Sequence, residues 1–128
     1  MKSKYYITTP IYYPSAKPHM GHAYSSIIAD FFARFKKISG NDVYFLTGTD
    51  EHGQKIERAA KQNNKEPISF CDEISQTFKN LSKTLNLSNN DFIRTTETRH
   101  KKAVQHLWNI LEKKGEIYLS KYSGWYSV

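Results

Sequence analysis

The sequence contains one cysteine, Cys71, in 128 residues, which excludes both a disulfide framework and a zinc site built on several thiolates. The lone thiol, in PISFCDEIS, is read as a small core residue. Nowhere does the chain approach the run of about eighteen apolar residues that a membrane-spanning helix needs. The amino-terminal stretch MKSKYYITTP has neither the apolar centre nor the small-residue cleavage site of a secretory signal. These absences predict a cytoplasmic protein, in which the N-x-S matches at Asn80 and Asn86 have no glycosylation role. Internal repeats, low-complexity tracts and a glycine-rich dinucleotide fingerprint are also missing.

What is present suffices for one packed domain. Hydrophobic residues make up 38% of the chain and aromatics 14%, enough to build a single core at this length. Nineteen Lys and Arg against twelve Asp and Glu leave a formal charge of +7, a bias toward anionic partners such as nucleotides or nucleic acid. The basic pairs Lys36-Lys37, Lys101-Lys102 and Lys113-Lys114 recur within helical segments, as on solvated helix faces, and do not form one block.

Residues 4 to 9, KYYITT, are β-branched and aromatic and stop at Pro10, which predicts a short strand. A proline-punctuated loop follows. From about Gly21 the apolar positions Ile27, Ile28, Phe31, Phe32, Phe35 and Ile38 recur at helical steps until Gly40. That spacing assigns Tyr12, Tyr24 and the run Phe31, Phe32, Phe35 to packing, the last three on a buried helix face. DVYFLTGTD, residues 42 to 50, opens as the nearly continuous apolar run of a buried parallel strand. Strand, helix, strand of these lengths is a βαβ unit, so the predicted fold class is α/β, a Rossmann-like parallel sheet. Helices are expected near 53 to 63 and 67 to 85, the second with Pro67 in its first turn. A third strand is expected at 91 to 96, and a helix from about Glu97 to Lys114 with Thr95 or Thr96 as cap and Gly115 closing it. On that helix Val104, Leu107, Trp108 and Leu111 share a face, and EIYLSKYSGWYSV reads as the start of a hairpin.

Ligands of open α/β sheets bind beyond the carboxyl ends of the strands, where the loop from Pro10 to Pro18 leaves the first strand. The next helix opens with HMGH. One helical turn separates His19 from His22, so both imidazoles lie on one side of a helix N-terminus, where free amides and the dipole already favour phosphate. Gly21 between them leaves room for a flat base against the backbone. On chemistry alone two other readings stay open: zinc ligation, with Asp50, Glu51 and His52 nearby, or plain helix capping. Asp50 likewise reads either as a cap ahead of EHGQKIERAA or as a substrate ligand. Lys17 is a loop lysine near the expected phosphates.

More of the sequence bears on this choice. TPIYYPSAKPHMGHAYSSIIADFFAR followed by VYFLTGTDEHGQKIERAA resembles the amino-terminal part of the catalytic domain of the methionyl-tRNA synthetase family. HMGH is similar to the histidine-glycine-histidine signature of class I aminoacyl-tRNA synthetases, and DFIRTTETRHKKAVQHLW carries the likeness over nearly the whole chain. The resemblance implies a nucleotidyltransferase-type fold and a ligase that activates methionine with ATP to methionyl-adenylate and transfers it to tRNA(Met). It implies that His19, Gly21 and His22 bind ATP, with the two histidines as catalytic donors that steady the phosphates. Methionine's carboxylate would attack the α-phosphorus without a proton shuttle. Ile11 and Tyr13 would line the methionine pocket, and Asp50 would pair with the substrate's α-ammonium. ATP would enter with Mg2+, as substrate, and no membrane is implied.

The chain also departs from that family. A lysine-serine signature of the KMSKS type and a helical anticodon-binding domain are not in it, so tRNA contacts are expected mainly in other parts. Residues 1–115 would be the amino-terminal part of the Rossmann-like catalytic domain and 116–128 the start of a connective insertion. Ser127 stands where many members begin a zinc knuckle with cysteine, so no zinc is predicted at that point. With only part of a parallel sheet present, apolar surface should be left open, and the isolated chain is expected to be marginally stable and inactive. Two rivals are another nucleotidyltransferase sharing the histidine motif and a small basic nucleic-acid-binding module.

Overall fold

A computed structural model describes residues 2–125. Its elements in chain order are β1 (Lys4–Thr8), α1 (Met20–Ile38), β2 (Asp42–Thr49), α2 (Gln54–Gln62), α3 (Pro67–Thr84), β3 (Asp91–Arg94) and α4 (Thr98–Lys113). By contact the chain divides into two compact units, the first through Glu97 and the second from Thr98.

In the first unit the three strands form one parallel sheet in the order β1-β2-β3, with helical crossovers between them. Ile7 pairs with Phe45 and Gly48 with Ile93. The apolar start of β2 suits its central place, and Phe45 is fully buried there. A Cβ at Gly48 would run into the Ile93 carbonyl oxygen, so the approach of β2 to β3 requires glycine. Gly40, beyond the end of α1, has φ +88, the left-handed conformation that makes glycine a common helix stop.

Two apolar clusters fill this unit. In one, Ala29 and Ala33 of α1 lie on Phe45, with Ile7 and Val43 packed alongside. In the other, Tyr12 joins Ala60 of α2 and Phe70, Ile74 and Phe78 of α3, with Phe92 against them. Here the structure corrects the sequence reading of α1. Its buried residues are Ser26, Ala29, Asp30 and Ala33, whereas Phe31 is 62% exposed, Phe35 53% and Tyr24 67%. Small residues one turn apart let the helix lie close on the strands, and the bulky aromatics fall off that contact line. Tyr12 and Cys71 are buried, as the sequence suggests.

Polar ties fix the loop before β3. The Asp30 carboxylate accepts the Ser88 backbone N–H at 2.6 Å, the Ser88 hydroxyl at 2.5 Å and Arg34 Nε–H at 2.6 Å. Burial alone would raise the Asp30 pKa, but the Ser88 and Arg34 hydrogen bonds outweigh it and lower the value. Asn90 and Phe45 exchange two more bonds, the Phe45 N–H donating to Asn90 Oδ1 and the Asn90 N–H to the Phe45 carbonyl, both at 2.8 Å.

In the second unit α4 is amphipathic but buries none of its side chains, and Leu107 and Trp108 stand more than half exposed. The helix begins at Thr98, so the position directly ahead of it is Glu97 and not Thr95 or Thr96, whose hydroxyls bond to Glu51, as described below. The expected hairpin does not form among residues 116 to 125, which carry no strand. Among the described residues no helix is long and apolar enough to cross a membrane.

Candidate active site

The chain leaving β1 passes over the end of β2. The Tyr12 N–H donates to the Gly48 carbonyl at 3.0 Å and the Asp50 N–H to the Tyr12 carbonyl at 2.9 Å, which makes Tyr12 a one-residue parallel bridge to Thr49. Seven residues after Tyr12, His19 becomes the N-cap of α1. Its Nδ1 accepts the Gly21 N–H at 3.1 Å, and its own N–H donates to His22 Nδ1 at 3.1 Å. Two histidines thus form the reciprocal capping arrangement usually made by a hydroxyl residue and a glutamate. Their ring centroids are 3.9 Å apart.

Capping and exposure to a ligand, taken from the sequence as competing readings, coexist. Both rings line a cleft of about 500 Å³ whose walls also include Ile11, Tyr13, Lys17 and Lys55. Lys55 Nζ sits 5.6 Å from the centre of the Tyr13 ring, over its face. Burial, and then the neighbouring His19, lower the His22 pKa below the ordinary imidazole value. Gly21 is not in the cleft wall. A Cβ there would come within 3.0 Å of the His19 ring, so the small residue leaves space for the imidazole itself. Asp50 is also outside the wall and is tied to it through Tyr12. It does not cap α2, whose N-cap is Gly53 with no side-chain cap bond.

Sequence reasoning named the most strongly bonded residue nearby, Glu51, only as a possible zinc ligand. The Glu51 side chain is fully buried. Its Oε1 accepts Thr49 Oγ1–H at 2.7 Å, Arg94 Nε–H at 2.7 Å and the Ser75 hydroxyl. Its Oε2 accepts Arg94 Nη2–H at 2.9 Å and Thr96 Oγ1–H at 2.5 Å. The Glu51 N–H donates to Thr95 Oγ1 at 2.8 Å, and Arg94 reaches on to Asp72 at 2.6 Å. Burial would raise the Glu51 pKa, yet Arg94 and the three hydroxyls hold it at about 2. The Cys71 thiol is pushed up to about 11 by burial and by the Glu51 charge. A signal for Glu51 did exist: Phe45, Thr47, Thr49 and Glu51 are all buried, so the period-two row of β2 runs past the strand end.

Among the described residues no group of three or more His, Cys, Asp or Glu side chains stands together as a metal site. The expectation about zinc at Ser127 lies outside the described residues.

Parallel strands joined by helical crossovers, with a histidine-capped helix and a cleft beyond their carboxyl ends, define a domain of the open α/β class. Within that class the chain belongs to the class I (M) tRNA synthetases, whose family model matches residues 5–128. It is 58% identical over its full length to the methionine–tRNA ligase of Rickettsia typhi, covering 25% of that protein. Over 127 residues, 99% of the chain, it is 53% identical to the methionine–tRNA ligase of Listeria monocytogenes, covering 19% of it. The Mycobacterium tuberculosis methionyl-tRNA synthetase, solved in complex with methionyl-adenylate, superimposes with a TM-score of 0.93 at 47% identity, over 98% of this chain and 25% of that one. The chain therefore spans about a quarter of the length of the relatives it matches most fully.

Proposed function

We propose that this chain supplies the amino-terminal wall of the activation site in a methionine–tRNA ligase, where methionine and ATP form methionyl-adenylate before transfer to tRNA(Met). The observation that carries the reading is the pair of capping imidazoles, 3.9 Å apart, in one cleft with Ile11 and Tyr13. Because each Nδ1 accepts a backbone N–H, a neutral ring carries its proton on Nε2 and has that N–H to donate. Two such donors beside the amino end of α1 suit an ATP phosphate. Gly21 keeps the backbone low between them. Methionine's carboxylate is ionised at neutral pH and magnesium pyrophosphate departs without protonation, so the histidines act by hydrogen bonding to developing charge and not as bases.

Ile11 and Tyr13 provide the apolar and aromatic wall that suits an unbranched thioether. Asp50, whose backbone is tied to Tyr12 between them, receives the α-ammonium. Residues 1–115 serve as the amino-terminal part of the catalytic domain and 116–128 open the connective insertion. The tRNA is held mainly by other parts of the protein, which works in the cytoplasm.

ATP–pyrophosphate exchange by the full-length protein, tried with each of the twenty amino acids, tests the reading. Methionine alone is expected to support exchange, and equal exchange with another amino acid overturns it. Asp50→Asn is expected to raise the methionine KM while leaving the ATP KM close to wild type. An unaltered methionine KM removes Asp50 from the site.

A further inference from the structure

Sequence periodicity places Tyr12 in the packing, and it is buried, but it also lines the cleft. Its backbone receives the Asp50 N–H and donates to Gly48, which sets the end of β2. Its hydroxyl lies 2.9 Å from Ser26 Oγ and 3.4 Å from the His22 carbonyl oxygen, both in α1. With Ser26 donating to the phenol and the phenol donating to His22, both contacts are satisfied at once. The Tyr12 ring stacks on Phe78 at 5.5 Å, and the two rings meet His22 edge-on at 4.9 and 5.1 Å. Counting His19, His22 therefore has three ring neighbours.

We propose that Tyr12 is a positioning residue for adenylate formation, holding the His22 imidazole toward ATP with its side chain and the Asp50 end of β2 with its backbone. This inference rests on the methionine-activation reading. A ring that meets Tyr12 and Phe78 edge-on and lies 3.9 Å from the His19 ring has few orientations left, so its Nε2–H is aimed before substrate arrives. Burial and the neighbouring His19 lower the His22 pKa, which favours the neutral donor form. Ser26 is the partner that makes the hydroxyl specific: a Phe at position 12 would keep the stack but lose the tie to α1.

Tyr12→Phe in the full-length protein removes only that tie. The kcat of methionine-dependent exchange is expected to fall about 3- to 10-fold, the loss typical of one neutral hydrogen bond in a buried site, with the methionine KM within about two-fold of wild type. Ser26→Ala, which removes the 2.9 Å bond and leaves the one to the His22 carbonyl, is expected to lower kcat by no more than Tyr12→Phe does, and the double variant to be no worse than Tyr12→Phe alone, because that variant already lacks both bonds. Unchanged kcat in both variants, or losses that merely follow the melting temperature, overturn the proposal. Nitrogen-15 spectra of the imidazoles provide a readout free of activity. Tyr12→Phe is expected to shift the His22 resonances and leave those of His100 in place, and an unmoved His22 spectrum overturns the proposal. If the wild type shows no methionine-dependent exchange, the functional reading fails, while the spectra still decide whether Tyr12 holds the ring.

Discussion

Two polar clusters stand beyond the carboxyl ends of the strands and have opposite characters. At the ends of β2 and β3, Glu51 is surrounded by Arg94, Thr49, Ser75 and Thr96 until its carboxylate has no capacity left. Between β1 and α1, His19 and His22 use one ring nitrogen each on the helix cap and keep the other. The closed cluster binds the chain to itself, and the open one can bind something else. Strongly shifted ionisation is often read as a sign of function, yet here the largest carboxylate shift belongs to the closed cluster. On the proposed function, unused hydrogen-bonding capacity facing a cleft is the better guide in this molecule.

Removing one partner from the closed cluster should have the largest effect. Arg94→Ala leaves Glu51 buried without its main counter-charge, and is expected to cost about 3–5 kcal/mol of stability in a denaturant titration. A loss below about 1 kcal/mol would place this ion pair among the weak surface kind. Next comes the open cluster, where the loss should be in rate. His19→Ala is expected to slow adenylate formation about 10²–10³-fold, near 3–4 kcal/mol of barrier, with methionine KM nearly unchanged. If the variant instead loses chiefly stability, the histidines are caps and nothing more.

Acid separates the clusters by a smaller margin. Glu51 has a folded pKa of about 2, below its ordinary value of 4.5. Its contribution is thus complete above pH 4.5 and is lost as the pH falls through about 2. Between those values wild-type stability should decline more steeply than that of Glu51→Gln, measured by urea midpoints, and parallel slopes would remove Glu51 as the cause. The smallest effect is expected away from both clusters. Phe31→Ser, on the exposed face of α1, should change stability by less than about 0.5 kcal/mol. A larger loss would mean that this face is covered in solution.

Much of the architecture was legible in local pattern. The apolar run of β2, the proline-bounded β1 and the helical steps after Gly21 specify a βαβ unit, because strand and helix periods are properties of short segments. The histidine pair was legible for the same reason, since residues three apart on a helix share a face wherever the helix is put. Phe31 and Phe35 misled because periodicity says that a face is apolar without saying that another element covers it. Thr95 and Thr96 misled because a hydroxyl ahead of a helix can find partners outside it: Thr95 Oγ1 accepts the Glu51 N–H, and the Thr96 hydroxyl donates to the Glu51 carboxylate.

By itself, then, the order of residues determined the strands, the helices and the placing of two imidazoles at the head of α1, all of which depend on neighbours within a turn or a pleat. Only the tertiary structure decided that Glu51 is buried and bonded while Asp50 and His52 beside it differ in surroundings, and that Tyr12 touches both Asp50 and His22. Those contacts join residues from 10 to 45 positions apart, and what closes them is the stacking of helices on a sheet. No short window of sequence contains that information.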